Sequence, residues 1–242
     1  MHLALSPKPT GEFSLFLCSS SSVPYPVDGQ QHLSYAFCAG DQIDFGGGVD
    51  DFPNQELTRG AFGWRQCRSI RDFRDGTSNT AVMAERDLGY PGRPQDILGR
   101  VAAVPATNPA DCLAMTAKGE YLAATTVLKE LMGERWSSGH PYYSIFLTAL
   151  PPNGPSCAAS ALPSGKSVGG WLTAGSRHQG GCHVLFGDGT VRFVNEIIDT
   201  GNLNATTPGK HPRTAWDTDY SCSSYGLWGE LGTIADDKSD EY

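Results

Sequence analysis

The most constraining segment of the chain is "HVLFGDGTVRFV", residues 183–194. Apolar residues alternate on both sides of a Gly-Asp-Gly group, a pattern typical of two antiparallel strands joined by a tight turn. We therefore predict a β-hairpin that lies in the core sheet of the protein. In this hairpin Val184 and Phe186 share one face and Val191 and Phe193 share one face, and all four side chains are expected to be buried.

The rest of the chain predicts short elements and long loops. Its 242 residues suit one large domain or two small ones, and 29 glycines and 16 prolines indicate many turns. Leu122, Leu128 and Leu131 approximate an apolar stripe that Gly133 ends, so one main helix region is expected near residues 112–132. We predict a single α+β domain over residues 1–242, with a central antiparallel sheet.

Charge and composition exclude some partners and predict one disordered end. The formal net charge is −8 and the chain has no basic run, so nucleic acid and anionic membrane surfaces are not expected as partners. No apolar stretch approaches the roughly 20 residues of a membrane-spanning helix. The acidic tail, residues 234–242, is low in apolar side chains and is expected to be disordered.

The seven cysteines favour disulfides over a metal centre. None forms a Cys-x-x-Cys pair, so a zinc finger is poorly supported. Wide spacing in a loop-rich acidic chain is typical of an oxidising compartment, although no signal peptide is visible. The odd count leaves at least one thiol without a partner in the chain.

An acidic, glycine-rich loop offers the candidate metal ligands. Its carboxylates could bind calcium through hard oxygen atoms, and they are Asp41, Asp44, Asp50 and Asp51. Their spacing matches no defined calcium loop, so we favour a solvated loop and expect neither a metal nor another cofactor, with calcium as the alternative.

His178 is the candidate catalytic group, and we interpret it as structural. A catalytic His needs a nucleophile, base or metal partner, and no nucleophile motif accompanies this one. A Ser-His-Asp set is not excluded by chain order alone. We expect no enzymatic activity, and we expect the imidazole to bond to backbone or to a side chain of Asp75–Thr80 or Tyr225–Trp228. The Asp75–Thr80 segment is itself interpreted as a structural turn.

Four motifs, in order, resemble one large bacterial family of prepilin-like proteins. They are Asp75-Gly76-Thr77-Ser78-Asn79-Thr80 with Glu85, then Arg135-Trp136 with Pro151-Pro152-Asn153, then His178, Gly180 and Gly181 followed by Asp188-Gly189, and finally Tyr225, Gly226, Trp228 and Gly229. This family is catalogued as domain of unknown function 1559 and also as solute-binding family 10. The motifs extend over nearly the whole chain.

The resemblance implies a pilin-like or pseudopilin-like globular domain without catalysis. Such a domain is displayed outside the inner membrane as a subunit of a type IV pilus or type II secretion-type assembly. Family members usually begin with a prepilin leader and a long apolar helix, which this sequence lacks. We therefore expect the globular part alone, with pilin-like partners and any membrane contact made through the missing helix.

Two disulfides and one alternative function follow. We predict a Cys112–Cys157 disulfide, and as second choice Cys18–Cys38, while Cys67, Cys182 and Cys222 are left without an assigned pairing.

The alternative function is an extracytoplasmic binder of small solutes or glycans. Such a binder needs a concave pocket lined by aromatic side chains such as Trp136, Tyr142 and Trp228.

Overall fold

The computed structural model describes residues 14–21, 32–42, 58–63, 66–90, 92–103, 106–158, 170–206 and 222–236. The strands described are β1 Tyr35–Cys38, β2 Ala81–Glu85, β3 Thr116–Ala117, β4 Glu120–Tyr121, β5 Ile145–Phe146, β6 Cys157–Ala158, β7 Gly170–Trp171, β8 Gly181–Phe186 and β9 Val191–Asn195. The α-helices are α1 Pro109–Leu113, α2 Pro141–Ser144 and α3 Gly226–Gly232, and short 3-10 helices span Ser14–Phe16, Ile70–Asp72 and Thr77–Asn79.

A five-stranded sheet organises the fold in the order β5-β1-β2-β8-β9. The pairs β1–β2, β2–β8 and β8–β9 are antiparallel, whereas β5 is parallel to β1. The predicted α+β class is confirmed, and the sheet is antiparallel except at the β5 edge. Two smaller two-stranded sheets, β3–β4 and β6–β7, accompany it among the described residues.

The β8–β9 hairpin forms where the alternating pattern predicts it. Gly189 adopts a φ of 85°, and Asp188 Oδ1 accepts hydrogen bonds from the Thr190 backbone N–H at 2.9 Å and its hydroxyl at 2.7 Å. The tip of the hairpin is held by the preceding motif, because the Gly187 N–H donates to the Thr80 carbonyl at 2.9 Å. The turn is therefore stabilised both by its own residues and by a hydrogen bond to Thr80, directly before β2.

The inner face of the sheet carries the core beneath α3. Its buried side chains include Ala36 and Cys38 of β1, Val184 and Phe186 of β8, and Trp228 of α3. The Trp228 indole N–H donates to the Leu150 carbonyl at 2.9 Å, so its one polar atom is satisfied in the core.

The outer face carries the alternate residues of the same strands. Val191 pairs with Leu185 and Phe193 pairs with His183. Both β9 side chains therefore lie on the face opposite Val184, with 62% and 46% of their surface exposed. The prediction that Val191 and Phe193 are buried is wrong, because β9 is an edge strand whose outer side has no cover among the described residues.

The predicted helix over residues 112–132 is also wrong. Helix α1 ends at Leu113, and the chain continues as the β3–β4 hairpin. Lys118 and Gly119, at its turn, have φ values of 54° and 79°, which a helix does not accommodate. The predicted apolar stripe does not form one buried face, because Leu131 is buried whereas Leu122 is 44% exposed.

Of the two predicted disulfides, one is confirmed. Cys112 and Cys157 are bonded with a Cα–Cα distance of 5.9 Å, joining α1 to β6. The Cys18–Cys38 pairing is wrong, because both residues are free thiols. Cys38 lies in the inner-face core, where its thiol contacts the Gly232 carbonyl at 3.5 Å, whereas Cys18 contacts Glu85.

The start of the acidic tail is ordered, so the predicted disorder is wrong for residues 234–236. Ile234 and Ala235 are buried, and the Ile234 N–H donates to the Arg59 carbonyl at 2.9 Å. Residues 237–242 lie outside the described residues. Among the residues that are described, no helix has the length and apolar character needed to cross a membrane.

Candidate functional site

Four side chains from distant parts of the sequence converge at one end of β2. Glu85 is the last residue of β2, His183 lies on the adjacent β8, His178 precedes β8, and Cys18 follows the first 3-10 helix. The Cys18 thiol donates to Glu85 Oε1 at 3.0 Å and lies 3.6 Å from His178 Nε2. His178 Nε2 is 3.3 Å from the same Oε1. We call Cys18, Glu85, His178 and His183 the thiol cluster.

Strand register and one serine place these groups. Ala84 pairs with Val184 in antiparallel register, so Glu85, which follows Ala84, lies beside His183, which precedes Val184. The His183 backbone N–H donates to Glu85 Oε2 at 2.8 Å, and its Nδ1 lies 3.1 Å from that oxygen. Ser176 Oγ accepts the His178 N–H at 3.1 Å and donates to the Gly181 carbonyl at 2.9 Å, which fixes the loop ahead of β8.

Glu85 is a buried but charged carboxylate. Burial raises its pKa, but hydrogen bonds from the His183 backbone, the Cys18 thiol and the His183 ring, together with the charge of His178, outweigh this effect. The net pKa lies below the usual value of 4.5. Glu85, of which only 6% is exposed, is therefore an ionised carboxylate at neutral pH although it is buried.

The geometry does not match a nucleophilic relay. In a Cys-His pair one ring nitrogen faces the thiol and the other is oriented by a third group. Here the same nitrogen of His178, Nε2, faces both Cys18 and Glu85. The thiol, imidazole and carboxylate atoms instead all lie within 4.8 Å of one another, and together they could hold a metal ion.

An apolar groove of about 640 Å³ lies on the outer face of the sheet beside the thiol cluster. Glu85 and His183 line both features. Its other lining residues are Leu15, Phe16, Leu33, Tyr35, Phe37, Met83, Ala84, Trp136, Leu185 and Val191. Trp136 stacks on Phe16 with ring centroids 5.5 Å apart, so aromatic rings form part of the wall.

The predicted partners of His178 are wrong. Its ring contacts Glu85 and Cys18, and neither Asp75–Thr80 nor Tyr225–Trp228 supplies the contact. Asp188 is directed elsewhere, to Thr190 within its own turn. Neither Cys18 nor His183 was predicted from the sequence as part of a cluster with Glu85. Glu85 and His178 were the two members of the cluster that the motifs contained.

The other family motifs hold the framework around the site. Asn79 Nδ2 donates to the Asp75 carbonyl at 2.9 Å, closing the turn whose Gly76 has a φ of 90°. Asn153, with a φ of 64°, accepts the Ser176 N–H at 2.8 Å and so supports the loop that carries His178. Arg135 pairs with Glu134 at 3.2 Å.

The proposed aromatic pocket forms only in part. Trp136 lines the groove, but Tyr142 and Trp228 are buried in separate core clusters. Asp41, one of the candidate calcium ligands, is fully buried and forms an ion pair with Arg59 at 3.1 Å, which does not fit a calcium site in a solvated loop. Asp44, Asp50 and Asp51 lie outside the described residues.

Fold and site define a disulfide-bonded α+β protein with an apolar groove and an adjoining thiol cluster. The family model SBP_bac_10, described as "Protein of unknown function (DUF1559)", matches residues 3–201. The chain belongs to this family, which confirms the family that its motifs resemble. No curated protein and no solved structure matches the chain.

Proposed function

We propose that this chain is the globular domain of a non-catalytic, surface-displayed subunit of a pilin-like or pseudopilin-like assembly. The observation that carries the proposal is the apolar groove on the outer face of the sheet. Leu15 and Val191 at its wall are 83% and 62% exposed, and Phe193 beside them is 46% exposed. Contiguous exposed apolar surface of this kind marks an interaction site.

An apolar helix is the occupant that this groove suits. A sheet that buries one face beneath helix α3 can bury its other face against a second helix with an apolar stripe. Leu15 and Phe16, which lie at the start of the described part of the chain, line the groove. The apolar helix of a pilin-like subunit, expected from the family resemblance, has the required chemistry.

Two further observations support the location and the absence of catalysis. The Cys112–Cys157 disulfide is typical of proteins that mature in an oxidising compartment, which favours an extracytoplasmic domain. The shared use of His178 Nε2 by Cys18 and Glu85 favours a role other than proton relay.

Shearing of cells that express the complete reading frame tests the assembly. We expect the subunit in the sheared surface fraction, and we expect Val191→Asp to deplete it there because a charge in the groove opposes helix docking. Ile197→Asp is the matched control, since Ile197 is 85% exposed and does not line the groove. An absence of subunit from the surface fraction, or normal assembly of Val191→Asp, would contradict the proposal.

A small-solute or glycan binder is the second candidate, favoured by the volume of the groove and by Trp136 in its wall. Its test is a thermal-shift and calorimetric screen of sugars and small acids with the isolated domain. A ligand whose affinity falls in Trp136→Ala, with assembly of the full-length subunit absent, would favour binding over assembly.

A further inference from the structure

We propose that Cys18, Glu85 and His178 form a zinc-binding site beside the groove. The proposal concerns the thiol cluster and does not depend on the assembly function. The site combines three ligand atoms of different chemistry: a thiol sulfur, a carboxylate oxygen and an imidazole nitrogen. In the chain, Cys18 is 67 positions from Glu85 and 160 positions from His178.

The separations of the three donor atoms match a metal's coordination shell. For bond lengths of about 2.3 Å to sulfur and about 2.0–2.1 Å to nitrogen or oxygen, tetrahedral geometry places the donors roughly 3.3–3.6 Å apart. The observed separations are 3.6 Å from Sγ to Nε2, 3.3 Å from Nε2 to Oε1 and 3.0 Å from Sγ to Oε1. Only the last must lengthen, by about half an ångström.

The neighbouring groups orient the donors as outer-shell partners of metal sites do. Glu85 Oε2 is occupied by the His183 backbone N–H at 2.8 Å and the His183 ring at 3.1 Å, which leaves Oε1 to face Cys18 and His178. The Cys18 backbone N–H is held by the Ser34 hydroxyl. Such hydrogen bonds fix the orientation of ligands before the ion arrives.

The donor set selects the ion. Thiolate and imidazole favour zinc over calcium or magnesium, which require oxygen ligands. Binding replaces the hydrogen bond from the Cys18 thiol to Glu85, and the thiol proton is released to solvent. The side chains of His178 and His183 are 34% and 43% exposed, so a water can reach the fourth position. Three protein ligands and a water form a complete tetrahedral site.

The first test is a zinc titration of the chelator-treated domain, with the Cys112–Cys157 disulfide intact and Cys18 as a free thiol, in competition with a chromogenic chelator. The reference protein carries Cys67→Ser and Cys222→Ser, which remove the two exposed cysteines and their adventitious binding. We expect one zinc per chain in this background. Cobalt substitution should give tetrahedral ligand-field bands and a thiolate-to-cobalt charge-transfer band. Failure to bind zinc, or a cobalt spectrum without the thiolate band, would overturn the proposal.

Single substitutions in the same background assign the ligands. Cys18→Ser, Glu85→Gln and His178→Gln should each lower zinc affinity about tenfold or more. Zinc should raise the melting temperature of the reference protein and leave that of Cys18→Ser unchanged. The matched control restores Cys67 and keeps Cys222→Ser, and the zinc affinity of the Cys18 site should be unchanged in it, because Cys67 supplies no ligand to that site. An unchanged zinc affinity in Cys18→Ser would rule out the site. Where a variant does not fold, the cobalt spectrum of the reference protein is the test, and a spectrum without the thiolate band would rule out the site.

Discussion

The two faces of the five-stranded sheet are built from alternate residues of the same strands, yet they differ in what covers them. On the inner face Val184, Phe186 and Trp228 are almost completely buried. On the outer face the neighbouring Leu185 and Val191 line a groove that ends in a buried carboxylate. Residues on the inner face therefore stabilise the fold, whereas those on the outer face are available for binding.

The largest expected difference between the faces is at two tryptophans. Trp228→Ala empties a fully buried site and strands the Leu150 carbonyl, so we expect a loss of about 3–5 kcal/mol in the free energy of unfolding. Trp136→Ala, in the half-buried wall of the groove, should cost about 1 kcal/mol. Urea denaturation of both variants measures the difference, and equal losses would abolish the distinction between core and groove.

A smaller effect is expected from placing one hydroxyl on each face. Val184→Thr introduces a polar group of nearly the same shape at a fully buried site, which should cost about 1–3 kcal/mol. Val191→Thr, on the exposed side of the edge strand, should change the stability by less than about 0.5 kcal/mol. If Val191→Thr destabilised the isolated domain as much as Val184→Thr, the groove would already be covered in solution.

The smallest effect concerns a second buried carboxylate, Asp236, which contrasts with Glu85. Burial raises the pKa of Asp236 from 3.8 to about 6, and its partner Arg59 and the Ser223 N–H only partly oppose this. The folded state therefore binds more protons than the unfolded state between these values. This contribution to stability is complete below about pH 4 and is lost as the pH rises through about 6.

Denaturation of the wild type and Asp236→Asn at pH 5 and pH 7 checks this sign. Asparagine does not titrate, so the stability of the wild type relative to the variant should fall from pH 5 to pH 7. A relative stability that stayed constant or increased would mean that Asp236 is held charged, as Glu85 is.

The sequence by itself determined the features that depend on a few neighbouring residues. The β8–β9 turn follows from Gly189 and the hydrogen bonds of Asp188 with Thr190, and the alternation around it predicts the two strands. The positive φ of Gly76 and the hydrogen bond from Asn79 to the Asp75 carbonyl likewise follow from turn chemistry. The family that the motifs predicted is the family whose model matches residues 3–201.

Only the tertiary structure decided which face of each strand is covered and which distant side chains come into contact. The pattern of β9 does not tell which side is covered, because pairing register and the edge position of the strand leave Val191 and Phe193 exposed. A leucine stripe predicted one helix region over residues 112–132, but the β3–β4 turn at Lys118 and Gly119 breaks that region ahead of the first leucine of the stripe. The thiol cluster joins groups 67 and 160 residues apart. Their meeting depends on strand order and loop supports, which no local spacing encodes, whereas turns depend on the backbone preferences of adjacent residues.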